Sequence, residues 1–298
     1  MFYKKYKNIL SPQNGMNIYR GCTHGCIYCD SRSECYQINH EFTDIEIKEE
    51  APKLLDIELA NKRKPCMIGT GSMTDPYNHV EKEIQYTRQC LEIVYKHHCG
   101  IGILTKSDLI LRDLDLLDKI NKDSKAVVQV TLTTFNDELC KKIDPNVCPT
   151  SKRIEVLKKC QELGIPTVVW LCPFLPFIND TFDNITNLMN ACIEVGVKGI
   201  IFFGIGLTLR KGNREYFYEC LDKDFPGLKE KYIKQFGTSY QINSPNHEAL
   251  KQIIINRCRE NNIMIDINEV FSYMRKYPEP FEQLDLFTLN QKESYEQN

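Results

Sequence analysis

Cys22, Cys26 and Cys29 stand in the pattern C-x3-C-x2-C within the segment YRGCTHGCIYCD. Three thiolates at this spacing can hold three irons of a 4Fe-4S cube and leave the fourth iron without a protein ligand. An open iron binds and activates a small molecule, whereas a cube held by four cysteines is usually closed and passes electrons. Cysteines three and four residues apart cannot all point at one centre from a straight helix, so the set belongs on a loop wrapped around the cube. Gly21 and Gly25 relax the backbone where such a wrap needs unusual angles. Tyr28 puts an aromatic face beside the last cysteine. Two other chemistries use the same residues: a structural zinc site with Cys35 or His24 as fourth ligand, and a redox pair made of Cys26 and Cys29.

The elements that must position this loop follow from periodicity. Short apolar runs predict strands at Asn17–Tyr19, Cys66–Gly69, Ile101–Thr105, Val127–Thr133, Thr167–Cys172 and Gly199–Gly204. Helical patterns between them cover Ile47–Leu59, Lys82–His97, Leu109–Ile120, Ser151–Leu163 and Phe182–Val195, with Pro52 early in the first or breaking it. Alternating strands and helices make an α/β fold with a parallel sheet. Six units fit an open, partial (β/α)6 TIM-like barrel better than a closed eightfold one. Residues 1–206 form this core with its N-terminal cysteine loop. From Leu207 the rhythm breaks, and 207–298 is expected to be a C-terminal helical extension or lid, including a helix over His247–Asn261. The polar tail LNQKESYEQN is expected to fray.

Loops at the carboxyl ends of parallel strands carry chemistry. After the second strand, GTGSMTDP offers Ser72, Thr74 and Asp75 as acceptors for an ammonium group, or forms an ordinary polar turn closed by Pro76. Lys106, at the end of the third, could pair with a carboxylate or sit in solvent. Gln129, Thr131 and Thr133 alternate onto one face of the fourth strand, facing a ligand cavity or packed with satisfied hydroxyls. Trp170 is expected in the core. Asn179 and Asp180 suit a helix cap. Gly204 and Gly206 would let the backbone approach an adenine or ribose, or pack tightly.

Composition sets the outer bounds. Of 298 residues, 42% are hydrophobic and 26% charged, which suits a globular protein with a sizeable core. A net charge of −2 provides no global field to attract nucleic acid. The segment from Arg210 to Tyr218 mixes Arg210, Lys211 and Arg214 with Tyr216, Phe217 and Tyr218, which could track a nucleic acid strand or form a packing helix. The start, MFYKKYKN, lacks the apolar stretch of a signal peptide, and the run GIIFFGIGL is too short for a bilayer. A cytosolic protein without membrane contact, monomeric or weakly associating, is expected. The cysteines outside the loop are scattered singly; Cys90, Cys160, Cys192 and Cys258 read as small buried hydrophobes.

The cysteine motif, with an aromatic just before the third cysteine, resembles that of the radical S-adenosylmethionine (SAM) enzymes. The order of GTGSMTD, LTKSD and NVCPTSKR…LGIP is similar to the branch named after spore photoproduct lyase, over roughly residues 14–205. The resemblance implies a 4Fe-4S cluster on Cys22, Cys26 and Cys29, with SAM on its open iron. Reductive cleavage would give a 5′-deoxyadenosyl radical that abstracts hydrogen from a substrate. It implies that Tyr28 packs near the adenine, that Thr74, in the same SAM-binding stretch as Ser72, helps bind the amino group, and that Lys106 meets the carboxylate. Thr131 would sit near the ribose or methionyl group. An electron donor such as flavodoxin or ferredoxin is implied, and the substrate is open, with nucleic acid among the candidates. The lyase carries a hydrogen-donating cysteine at the position matching Ser72. A serine O–H bond is too strong for that task, which argues against photolesion repair by the same route; Cys35 and Cys172 are candidate substitutes. A DNA-photolesion lyase and a non-enzymatic iron–sulfur or zinc sensor stand as the alternatives.

Overall fold

The computed structural model of the chain describes residues 1–278. Its central sheet has six parallel strands in chain order: Gly15–Met16, Met67–Thr70, Gly100–Thr105, Ala126–Thr131, Thr167–Trp170 and Gly199–Ile201. The first and last strands do not pair with each other, so the sheet is an open, partial (β/α)6 barrel. Helices Tyr86–Lys96, Leu114–Asp123, Thr150–Glu162 and Phe182–Val195 return the chain between successive strands. Among the described residues no helix is long and apolar enough to cross a membrane. The expected polar tail lies outside the described residues.

Several local expectations are corrected by tertiary partners. The first barrel strand is Gly15–Met16, not Asn17–Tyr19. Tyr19–Arg20 instead pairs antiparallel with Glu46–Lys48, which pairs in turn with Phe2–Lys4. Tyr19 is drawn off the barrel line because its hydroxyl donates to the fully buried Glu81. The helix expected from Ile47 starts at Ala51, with Pro52 in its first turn, because Glu46–Lys48 is taken by that small sheet. The helix expected over Lys82–His97 breaks at Gln85, whose φ is 54°. Glu81 accepts the Thr87 N–H at 3.0 Å and Arg112 Nη2 at 2.8 Å, so a carboxylate from the short helix Glu81–Ile84 caps the start of the next. The fourth strand stops at Thr131, before Thr133.

Alternation along the strands separates two faces. Ile101, Ile103, Val128, Val130, Val169 and Ile200 pack into the main core with the surrounding helices. Val127, Val168 and Ile201 point the other way and meet Val270 and Met274. These last two lie on the helix Ile267–Arg275, which closes the barrel floor. Met264 also bridges in parallel to Gly199, extending the sheet edge. A third cluster joins Cys26, Ile27 and Tyr28 of the cysteine loop to Leu207, Phe217, Leu221, Tyr232 and Ile242. The residues after 206 therefore serve two ends of the barrel: one part packs on the cysteine loop, the other fills the floor. Phe217 has no exposed surface and abuts the ring of Tyr232 at a centroid distance of 5.3 Å. Phe217→Ala is expected to lower unfolding stability by about 3–5 kcal/mol, measured by urea denaturation, with a larger loss of protection in the cysteine loop than in the floor helix by hydrogen exchange.

Candidate active site

The cysteine loop has almost no regular structure, so its backbone groups find partners elsewhere. The Cys22 N–H donates to the Phe42 carbonyl at 2.9 Å, and the Ile27 N–H to the Ile143 carbonyl at 3.0 Å. Asn146 donates through its backbone to His24 O at 3.1 Å and through its side chain to Thr23 O at 3.1 Å. Thr74 gives its hydroxyl to Gly21 O at 2.5 Å, and Tyr216 gives its own to Gly25 O at 3.2 Å.

Cys26, Tyr28 and Cys29 face a cavity of about 430 Å³ at the carboxyl end of the strands. Gly71, Ser72 and Met73 line it after the second strand, Lys106 after the third and Thr131 at the end of the fourth. Trp170, Cys172, Phe203 and Gly204 continue the wall, and Thr208, Gln241 and Asn243 from the antiparallel pair Gly206–Thr208 and Gln241–Asn243 complete it. Gly71 has a φ of +97°, and a Cβ there would lie 2.0 Å from Leu104 O, so only glycine fits. At Gly206 a Cβ would lie 2.1 Å from Ile242 O; close strand packing accounts for this glycine.

Beneath the cavity lies a set of buried charges. Arg153 and Asp144 are fully buried and joined at 2.9 Å. Arg153 also donates to Cys148 O at 3.0 Å and Thr131 O at 3.2 Å. Burial pushes the Asp144 carboxyl up, but Arg153 and Lys106 outweigh it and the net shift is downward. Burial opposes the Lys106 charge, and Cys26 and Asp144 more than offset this, so its pKa rises. The Tyr28 hydroxyl lies beside Asp144 without a hydrogen bond of normal geometry, and Asp144 Oδ1 and Arg153 Nη2 are likewise unpartnered.

These residues fit an iron–sulfur cluster. Burial, reinforced by Asp75, pushes the Cys22 thiol up to about 12, and burial pushes Cys26 well above its ordinary value. Neither ionises readily alone, whereas a coordinating thiol is deprotonated outright. Among the described residues no three His, Cys, Asp or Glu side chains converge as ligands of a single ion; a cube takes each thiolate on its own iron.

The model of the radical SAM superfamily matches residues 16–189. The chain belongs to this superfamily. It is an enzyme, and the superfamily's cofactors, a 4Fe-4S cluster and SAM, are its cofactors. It is 30% identical over 256 residues to an uncharacterised protein of Methanocaldococcus jannaschii, covering 84% of this chain and 87% of the relative. An uncharacterised protein of Mycobacterium tuberculosis is 26% identical over 250 residues, covering 80% and 71%. Among solved structures, spore photoproduct lyase complexed with dinucleoside spore photoproduct aligns with a TM-score of 0.63 at 10% identity, covering 87% of this chain and 78% of the lyase. That likeness is one of fold.

Within this radical SAM site, Tyr28, Ser72, Lys106 and Thr131 share the cavity with Cys26 and Cys29, whereas the Thr74 hydroxyl is committed to Gly21. Asp75 is committed too: it accepts from Thr105 Oγ1 at 2.7 Å, Lys106 N at 2.8 Å and Tyr77 N at 2.9 Å, and lies 3.4 Å from His24 Nδ1. Trp170, expected in the core, packs against the Val127, Val168 and Val270 cluster and also lines the cavity, with Gln129 Oε1 accepting its indole N–H at 2.9 Å. Cys172 lines the cavity; Cys35 is exposed and accepts from Arg210 at 3.2 Å. The basic and aromatic segment is also engaged. Arg32 stacks at 3.8 Å on the Tyr216 ring, and Arg214 donates to the carbonyls of Leu209, Gly237, Thr238 and Ser239.

Sequence reasoning passed over Asp144 and Arg153. The signal was there: Arg153 falls in register with the apolar positions Val156, Leu157 and Cys160 of one helix face, and an arginine in a core stripe requires a buried partner. Removing either member leaves an uncompensated buried charge, so Arg153→Met and Asp144→Asn should each cost about 3–5 kcal/mol. The double variant is expected to lose less than the sum, by more than about 1 kcal/mol in a double-mutant cycle of urea midpoints.

Proposed function

We propose that this enzyme reductively cleaves SAM and abstracts hydrogen from a substrate admitted at the open mouth of the barrel. When bound, a 4Fe-4S cluster supplies the electron that breaks the sulfonium and yields a 5′-deoxyadenosyl radical. The carrying observation is one shared cavity, with Cys26 and Cys29 on one wall and a cation, hydroxyls and a glycine-opened backbone on the others. Its volume of about 430 Å³ suits a ligand of cofactor size.

Cys22, Cys26 and Cys29 would hold the cluster. Lys106 orients the SAM carboxylate by a charge-assisted hydrogen bond. The Gly71–Met73 stretch, with Ser72, receives the ammonium end, and Thr74 holds the cysteine loop against that stretch. Tyr28 packs near the adenine, and Thr131 lies near the ribose or methionyl group. Trp170 and Phe203, with ring centroids 6.0 Å apart, shield the cavity from water on the side of the last strands. A reductant of the flavodoxin or ferredoxin type provides the electron, in the cytosol.

The test is anaerobic reconstitution with iron and sulfide, followed by dithionite and SAM, with 5′-deoxyadenosine measured by chromatography. The intact protein should form it and Cys29→Ala should fall to background. Lys106→Met should raise the SAM KM about tenfold or more, the scale of a lost charged hydrogen bond. A colourless protein that binds zinc and forms no cluster would overturn this function.

A further inference from the structure

We propose that Cys66 and Cys99 form a reversible disulfide site at the amino end of the barrel, opposite the cysteine loop. Cys66 immediately precedes the second strand and Cys99 the third, and these strands are parallel neighbours in which Met67 stands opposite Gly100. The Gly100 N–H donates to the Cys66 carbonyl at 3.0 Å, so the pairing reaches back to the cysteines themselves. Adjacent strands lie about 4.8 Å apart, inside the roughly 4.4–6.8 Å Cα separation that a disulfide spans. Backbone movement is therefore not needed to close the bond. Cys99 is further fixed by its N–H to Val94 O at 3.0 Å and by Ser124 Oγ to its carbonyl at 2.8 Å.

The two thiols are close enough to influence each other's ionisation in opposite directions. The neighbouring Cys66, with Lys62 nearby, overcomes burial and pulls the Cys99 thiol down to about 6, while Cys66 is pushed up. Cys66 is half-buried and reachable from solvent, whereas Cys99 is 2% exposed. Buried lone thiols such as Cys160 and Cys192 are pushed up to about 12 by burial.

The two sulfurs thus divide the work of thiol–disulfide exchange. A low-molecular-weight disulfide such as oxidised glutathione is the oxidant. The Cys66 proton passes to the Cys99 sulfur as the Cys66 thiolate attacks one of the oxidant's sulfurs, and the departing first glutathione thiolate takes that proton on, leaving Cys99 as thiolate. The Cys99 thiolate then attacks the Cys66 sulfur and expels the second glutathione thiolate, which takes a proton from water. Two protein thiols are oxidised to one disulfide, and one glutathione disulfide is reduced to two thiols. The product closes a covalent ring over residues 66–99, which contains the Gly71–Met73 wall of the cavity.

The cluster-loaded protein is held anaerobically in oxidised glutathione, quenched in acid, alkylated and digested for mass spectrometry. The expected product is a Cys66–Cys99 linked peptide that dithiothreitol reverses, with cluster absorbance retained and a raised melting temperature. Cys99→Ser should stop at a glutathione adduct on Cys66, and Cys66→Ser should leave Cys99 free of adduct. A wild-type protein that stops at the Cys66 adduct, links Cys66 to another cysteine, or keeps both thiols free would overturn the assignment.

Discussion

The structure depends on one constraint: an irregular loop has to carry three thiols, two of them facing a cavity, while its own backbone stays satisfied. Buried backbone groups without partners are costly, and this loop has no ladder of its own. Apart from the Cys29 N–H to Cys26 O bond at 3.2 Å, the partners named here come from elsewhere in the chain. Phe42 and Ile143 accept its N–H groups, Asn146 serves Thr23 and His24, and Thr74 serves Gly21. Tyr216, far along the chain, serves Gly25. The region after residue 206 is thus part of what gives the loop its shape.

Charge is the second layer. Cys26, Lys106, Asp144 and Arg153 sit close together where water is largely excluded. Two cations, Lys106 and Arg153, face two buried carboxylates, Asp144 and Asp75, under the cysteine loop, where thiolates and a cluster would add negative charge. The Arg153 guanidinium also reaches the carbonyls of Thr131 and Cys148, and the Cys148 thiol donates to Lys106 O at 3.0 Å. The ends of the third and fourth strands are therefore fixed to the same ion pair that lies under Cys26.

Much of this was legible in sequence because it rests on local chemistry. The C-x3-C-x2-C spacing, the strand–helix alternation and the polar residues at strand ends point to one cavity at the carboxyl end of a partial barrel. The helix Phe182–Val195 is bounded as its periodicity implies, ending at Gly196 with φ +69°, but Thr181 caps it instead of Asn179 or Asp180, which are held by Thr133, Leu175, Phe177 and Ser244. Expectations failed where a distant partner overrode a local pattern. Tyr19 leaves the barrel for Glu81, and Gln85 breaks a helix beside the same carboxylate. Asp144 and Arg153 lie in segments whose composition reads as helix end and helix face, and their pairing emerges only when those segments meet.

The most direct measurement is electron paramagnetic resonance of the dithionite-reduced, reconstituted protein, recorded with and without SAM. A cluster held by Cys22, Cys26 and Cys29 would leave one iron without a cysteine ligand, so SAM should shift the g-values of the reduced cluster. Lys106→Met should require more SAM for the same shift. A well-loaded cluster whose spectrum is unchanged at saturating SAM would mean that no iron is open to this cavity, and would contradict the account.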